Sequence, residues 1–343
     1  MLTKMKFAEF EYTTDFSQQG IQRVAILEQP YKMKIVATKI PEPADNELRI
    51  KIKYVGICGS DLEAFRGNRK PEFISFPARL GHEVAGVIDK IGKNIKTLKI
   101  GQKVTCRYVW GAYAEYIVCR PINVQVLPDD FDMKDMSLIE ILPGVIHAAE
   151  LSQCDSGRTV LITGQGVSGL IMTQVMALYS PKELVVTDIK DRNLELAKKY
   201  GATKTYKIPE PSMPTIDVLK DDYPNGFDIV IPCLLEGGSV VDAIQCTRIS
   251  GKVILYGGIG ICKEELDFFK VHRARIEILS TEPKRDIDMY RFFKEGISLI
   301  TDGLVNTGEY IDKIYPLSQI QEAFNVRNDK SNNYIHILVD VEK

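Results

Sequence analysis

Charge of one sign is missing as a surplus. The 343 residues carry 44 Lys and Arg against 46 Asp and Glu, a formal net charge of −2 at pH 7. That balance lacks the electrostatic footprint of a nucleic-acid or membrane-surface binder. No apolar run reaches the roughly 20 residues that a membrane-crossing helix needs. Residues 1–20 mix charged and aromatic side chains and lack the apolar stretch of a secretory signal. The seven cysteines are odd in number and dispersed, and no two stand at CxxC spacing. This fits a reducing cytoplasm better than a disulfide framework. Internal repeats and low-complexity tracts are also absent. The length suggests two domains, each large enough for its own core.

Two motifs stand out against this background. The first is Gly56-Ile57-Cys58-Gly59-Ser60-Asp61, followed by Gly81-His82-Glu83. A soft thiolate, an imidazole and a carboxylate are zinc-type ligands. Three mixed ligands with a possible fourth suit an open, catalytic zinc better than a closed structural one. The gap from Cys58 to His82 is too long for one helix or turn, so the fold must bring them together. A scattered Cys and His are more often a buried thiol and a satisfied histidine. The flanking glycines and the second motif shift that balance.

The second motif is the apolar run Val160-Leu161-Ile162-Thr163, which leads into Gly164-Gln165-Gly166-Val167-Ser168-Gly169. Residues 170–179 then read as a helix, and Leu184-Val185-Val186-Thr187 reads as a strand ending in Asp188. Strand, glycine turn, helix, strand and an acid about 20 residues on form the context that makes GxGxxG a dinucleotide-binding signal. The three glycines serve a tight turn, close approach of the pyrophosphate and close helix packing. The helix start offers free N–H groups to phosphate.

The periodicity divides the chain. Residues 48–54 alternate apolar and polar, as a half-buried strand does, and residues 84–91 and 104–118 look similar. The first part is therefore rich in short antiparallel strands. From about Cys154 strands alternate with helices, which implies a parallel sheet with strands at 159–163, 183–187, 227–231, 252–256 and 276–279. A helix over 193–200 stops at Gly201. An amphipathic helix runs through 290–301, and a last strand covers 334–341.

The two motifs, with Gly111-Ala112-Tyr113-Ala114-Glu115-Tyr116 and Gly251-Lys252-Val253-Ile254-Leu255-Tyr256-Gly257-Gly258, resemble the medium-chain zinc-dependent alcohol dehydrogenases. The sorbitol (polyol) dehydrogenase branch is the most similar. The resemblance runs from about Arg23 to the C-terminus. It implies an α/β protein with a GroES-like, mostly-β catalytic domain (residues 1–153 and 285–343) and an inserted Rossmann domain (154–284), with the active site in the cleft between them. It implies metal ligation by Cys58, His82 and Glu83. Glu140 would be a fourth ligand, direct or through a water, although Ile141 stands where the family has proline.

Asp61 would orient His82, and Ser60 would begin a proton relay. The family often continues that relay through a His at the position occupied here by Glu63. The family's second, structural zinc needs four clustered cysteines after the strand near Val104. That lobe is missing here, and Cys106 and Cys119 read as buried thiols, so one catalytic zinc per chain is expected.

Asp188 favours NAD over NADP, although Arg192 lies close to it. The implied reaction is hydride transfer between NAD and a secondary alcohol of a polyol, sugar alcohol or cyclitol. Alternatives are a zinc dehydrogenase for threonine, an aminocyclitol or a simple secondary alcohol, a zinc-free quinone reductase, and a non-catalytic dinucleotide-binding protein. Phe65, Tyr108, Trp110 and Tyr113 would line a substrate pocket or simply be core. Arg66, Arg69 and Lys70 would meet a sugar phosphate or form a solvated loop, the loop being favoured. His147, His272 and His336 read as ordinary residues. A cytoplasmic homodimer or homotetramer is expected.

Overall fold

A computed structural model describes residues 10–69, 74–234, 238–257, 262–282 and 285–343. The chain divides into two compact units. One comprises the residues up to Glu140 together with Gly308–Lys343, and the other is Ile141–Thr307.

The first unit is built on a seven-stranded sheet. Strands Ile311–Pro316, His336–Asp340, Leu48–Gly56, Glu83–Ile91, Lys103–Cys106 and Val124–Val126 lie side by side in that order, and Tyr116–Cys119 also pairs with Leu48–Gly56. Leu48, Ile50 and Ile52 are fully buried, while Arg49 and Lys51 between them are not, so the alternation read from the sequence is the strand's two faces. Their core includes Phe65, Val84, Ile88, Val104, Tyr113 and Phe324. The last strand is antiparallel to Leu48–Gly56, with Leu338 opposite Gly56. On the other side of Leu48–Gly56, Gly56 stands opposite Glu83. The tail thus returns to the first unit.

The second unit holds six parallel strands in the order Lys204–Lys207, Glu183–Asp188, Thr159–Thr163, Phe227–Pro232, Thr247–Leu255 and Glu277–Ser280. Numbered along the chain this is 3-2-1-4-5-6, the doubly wound order of dinucleotide-binding domains. Every residue of Phe227–Pro232 is buried, as a central parallel strand requires. The strand Lys204–Lys207 has no counterpart among the sequence expectations. It reads Lys-Thr-Tyr-Lys, an edge strand with no apolar run, and its pairing with Val185–Asp188 places it.

The unit boundaries also differ from the expected 153/154 and 284/285. Helices Leu142–Ser152 and Asp286–Thr301 pack on each other within the second unit. Gly296 permits the approach, since a Cβ there would lie 2.7 Å from Leu142 Cβ.

Candidate metal centre and dinucleotide loop

In the first unit, strand Leu48–Gly56 runs out two residues before Cys58, which caps helix Gly59–Phe65 in extended geometry. The next strand of the sheet opens with Glu83, and His82 immediately precedes it. Strand pairing therefore brings together what the sequence separates. Ligand atoms of Cys58, His82 and Glu83 all lie within 4.8 Å of one another.

The electrostatics of this group call for a cation. Burial pushes the Cys58 thiol up, and the neighbouring Glu83 charge adds to that. Burial by itself would lower His82, but Asp61 and Cys58 outweigh it and hold the imidazole well above its ordinary value. The Glu83 carboxylate is fully buried, and its Oε1 has no hydrogen-bond partner. Converging sulfur, nitrogen and oxygen donors with orphaned buried lone pairs fit a zinc ion.

Asp61 is fully buried and ties this corner together. It accepts from the Cys58 N–H at 3.2 Å, the Gly81 N–H at 3.0 Å and the Tyr113 hydroxyl at 3.1 Å. His82 Nδ1 lies 3.7 Å from Asp61 Oδ1, beyond hydrogen-bond length, while Ser60 Oγ is 3.4 Å from His82 Nε2. Asp61 thus positions the loops carrying Cys58 and His82 more than it grips the imidazole. Trp110 packs on His82, with ring centroids 4.3 Å apart.

Sequence reasoning missed His336. It is fully buried, and its Nε2 lies 3.0 Å from Glu83 Oε2. Burial opposes ionisation of Glu83, but His336, His82 and Cys58 together outweigh it and hold that carboxyl below its ordinary value. Gly56 makes room for the pair, since a Cβ there would sit 2.0 Å from Glu83 Oε2 and 2.5 Å from His336 Nε2. The signal was the glycine of the Gly56-Ile57-Cys58 motif together with the returning tail, and neither points to a particular histidine. His147 is an ordinary structural residue, with Nδ1 2.7 Å from the Thr281 carbonyl and its ring stacked on Phe292.

Glu140 is not among the three grouped ligands. Its carboxylate accepts from Arg107 Nη1 at 2.9 Å, and Arg107 also donates to its carbonyl. Burial raises its carboxyl, and Arg107 opposes the rise. Glu63 is buried and accepts from Arg66 at 2.8 Å and Asn68 at 3.1 Å. Arg66 also donates to Asn328, so its guanidinium is occupied within the protein. Phe65 and Tyr113 are core, each packed on Phe324. Cys106 and Cys119 are buried thiols pushed up by burial, Cys119 to about 12. Lys70 and Gly258 lie outside the described residues.

In the second unit the glycine loop joins Thr159–Thr163 to helix Val167–Leu178. Gly164 has φ +83°, the left-handed turn that glycine tolerates, and its N–H donates to the Thr187 carbonyl at 2.8 Å. A Cβ at Gly166, the helix N-cap, would meet nothing within 4 Å, which leaves room at the helix start. A Cβ at Gly169 would lie 1.9 Å from the Gly164 carbonyl oxygen, so helix and loop touch there. Val167 and Ser168 open the helix between them. Asp188 ends its strand. One oxygen accepts from the Gln165 N–H at 2.6 Å, and the other accepts from the Lys190 N–H at 2.8 Å and Asn193 at 3.3 Å. Arg192 lies half-buried on the following helix, Asp191–Lys199.

Comparisons with known proteins agree with both halves. The family model of the alcohol dehydrogenase GroES-like domain matches residues 44–129, and that of the zinc-binding dehydrogenase matches residues 169–291. The chain is 27% identical to sorbitol dehydrogenase of Bacillus subtilis, covering 92% of this chain and 96% of that protein. It is 26% identical to D-xylulose reductase of Saccharomyces cerevisiae, covering 93% and 98%. An alcohol dehydrogenase from Escherichia coli CFT073, solved with NADH, superposes with TM-score 0.80 at 22% identity over 94% of this chain and all of that one. The two family models together match most of the chain, which is an oxidoreductase that belongs to the medium-chain zinc-dependent alcohol dehydrogenase superfamily.

Proposed function

We propose that this protein reversibly oxidises a secondary alcohol of a polyol, sugar alcohol or cyclitol to the ketone, using NAD and one zinc ion per chain held by Cys58, His82 and Glu83. The observation that carries the reading is the convergence of those three donors within 4.8 Å, with His82 and Glu83 buried and Cys58 half-buried. When bound, the zinc supplies Lewis acidity to the substrate hydroxyl and the NAD accepts the hydride.

The protein's residues do the rest. Ser60, beside His82, takes the hydroxyl proton. Glu63 is held by Arg66 and Asn68, so the onward route differs from the family's histidine relay. Trp110 shields the His82 ring from water. In the second unit the open space at Gly166 and the N–H groups of Val167, Ser168 and Gly169 receive the pyrophosphate. The lone pairs left on Asp188 accept from the adenosine ribose, with Arg192 nearby, and the carboxylate repels a 2′-phosphate. The working form is a cytoplasmic homodimer or homotetramer.

The test is NADH formation by zinc-loaded protein across polyols, cyclitols, amino alcohols and simple secondary alcohols, with and without a chelator. A chelator-sensitive signal on polyols or cyclitols is expected. Cys58→Ser is expected to lose zinc and turnover while still binding NADH. A metal-free variant with full activity would refute the zinc mechanism.

A further inference from the structure

The imidazole of His82 lacks the grip that a metal-binding histidine usually has. A ligating histidine ordinarily donates its other ring N–H to a carboxylate or carbonyl, which fixes the ring. Among the described residues, His82 Nδ1 is buried without a hydrogen-bond partner, 3.7 Å from Asp61 Oδ1. The ring is instead packed against the half-buried Trp110, with centroids 4.3 Å apart and planes at 45°. Trp110 owes its place to the turn that follows it. Gly111 has φ +89°, a left-handed conformation that glycine adopts freely. Its peptide with Ala112 is held at both ends. The Ala112 N–H donates to the Gly81 carbonyl at 3.1 Å, and Arg79 Nη2 donates to the Gly111 carbonyl at 2.8 Å. The Arg79 stem lies along the turn, since a Cβ at Gly111 would sit 3.1 Å from its Nε and 3.2 Å from its Cβ. Phe10 covers the guanidinium, 5.9 Å from its ring centroid, and packs on the cluster of Val24, Ile26, Val36 and Ala114.

We propose that Arg79 is a positioning residue that fixes the Gly111 carbonyl, seats Trp110 on the His82 imidazole and so replaces the missing hydrogen bond with a ring contact. Arg79, Gly81 and His82 lie on one segment, and Trp110, Gly111 and Ala112 on the facing one, so the ligand's own segment braces the ring that holds it. Among the described residues no carboxylate pairs with Arg79, and burial alone pulls its pKa down to about 10. A cation held against a carbonyl without an acid is a cost that an apolar residue would not carry. Its N–H donor is what an apolar residue could not supply. The consequence for the metal rests on the zinc reading above, whereas the seating of Trp110 does not.

Trp110 is the chain's one tryptophan, so intrinsic fluorescence reports this contact directly. The experiment compares full-length wild type with Arg79→Met, which keeps an unbranched stem but has no donor, and with Arg79→Lys, which restores one. In the metal-free protein, Arg79→Met is expected to shift the Trp110 emission to the red and to steepen its quenching by acrylamide. In a competitive zinc titration Arg79→Met is expected to bind zinc about tenfold more weakly, the lower end for losing a support around a metal ligand. Arg79→Lys is expected to recover most of both signals. An arginine that served stability alone would lower the urea midpoint and leave the folded protein's Trp110 emission and zinc affinity unchanged.

A folded Arg79→Met with wild-type emission and quenching would overturn the proposal. So would a displaced Trp110 with wild-type zinc affinity. If Arg79→Met does not fold, Trp110→Ala decides. Zinc binding about tenfold weaker in that folded variant supports the brace, and wild-type affinity leaves Arg79 nothing to position. Wild type that takes up no zinc would refute the zinc reading, while the emission of Arg79→Met would still decide whether Arg79 seats Trp110.

Discussion

Replacing Gly56 with alanine tests how the metal corner is packed. The added Cβ would lie 2.0 Å from Glu83 Oε2, 2.5 Å from His336 Nε2 and 3.1 Å from Glu83 Cβ. An ordinary carbon–oxygen contact is about 3.3 Å, so Oε2 must retreat by about 1.3 Å. It has little freedom to do so. Glu83 is fully buried, and its backbone is paired opposite Gly56 in the same ladder. His336 sits on the strand along the other edge. Overpacking of this kind costs about 1–3 kcal/mol. Driving the buried carboxylate off His336 adds to that, up to about 3–5 kcal/mol if the pair is broken.

We therefore expect Gly56→Ala to lose about 3 kcal/mol in urea unfolding of the metal-free protein. The movement of a ligand that its neighbour had held in place should also weaken zinc binding by about 10–100-fold. Unfolding curves and a competitive zinc titration measure the two effects separately. An unchanged urea midpoint together with unchanged zinc affinity would show that Glu83 and His336 do not meet beneath Gly56.

Other consequences are accessible to simple assays. Gly169→Ala places a Cβ 1.9 Å from the Gly164 carbonyl oxygen, so NADH affinity by fluorescence titration is expected to fall at least about tenfold; wild-type affinity would contradict the close packing of loop and helix. Asp188→Ser removes the carboxylate proposed to meet the ribose, and the ratio of kcat/KM for NAD over NADP is expected to drop; an unmoved ratio would take cofactor choice away from this residue.

Asp228 accepts from the Thr159 N–H and hydroxyl and pairs with Arg158 and Arg248. Burial would raise its carboxyl, but those partners hold it below the ordinary 3.8. Its stabilisation is therefore full above about pH 4 and lost as pH falls through the lowered value. Asp228→Asn should cost about 1–3 kcal/mol at pH 7 and progressively less below pH 3.8. An equal cost at pH 7 and at low pH would exclude the ionic account.

Much of this architecture is legible without coordinates, and the exceptions share a physical cause. The strand Thr159–Thr163, the glycine loop and Asp188 are read correctly because their determinants are local in sequence. The strand Lys204–Lys207 is missed because its only support is the neighbour beside it, with no apolar signal of its own. Cys58, His82 and Glu83 are recognisable as ligand types in a glycine-marked pattern. His336 is not, because its role depends on which residue lies opposite Gly56 after the chain has turned back. The Arg107–Glu140 contact is invisible for the same reason, since nothing in either neighbourhood marks the other as its partner.

The return of the last strand to Leu48–Gly56 also bears on how the protein is made. The parallel-sheet unit is one unbroken stretch, Ile141–Thr307, whereas its companion is split around it. During synthesis the second unit has its whole complement of strands while the first still lacks two, and Glu83 waits for a histidine that emerges 253 residues later. At about 5–20 residues per second, the interval from Glu140 to His336 is roughly ten to forty seconds. Throughout it a nascent metal corner carries its thiol and carboxylate without the strand that closes one side. A truncation before His336 would leave Cys58, His82 and Glu83 present in a corner that lacks its closing strand.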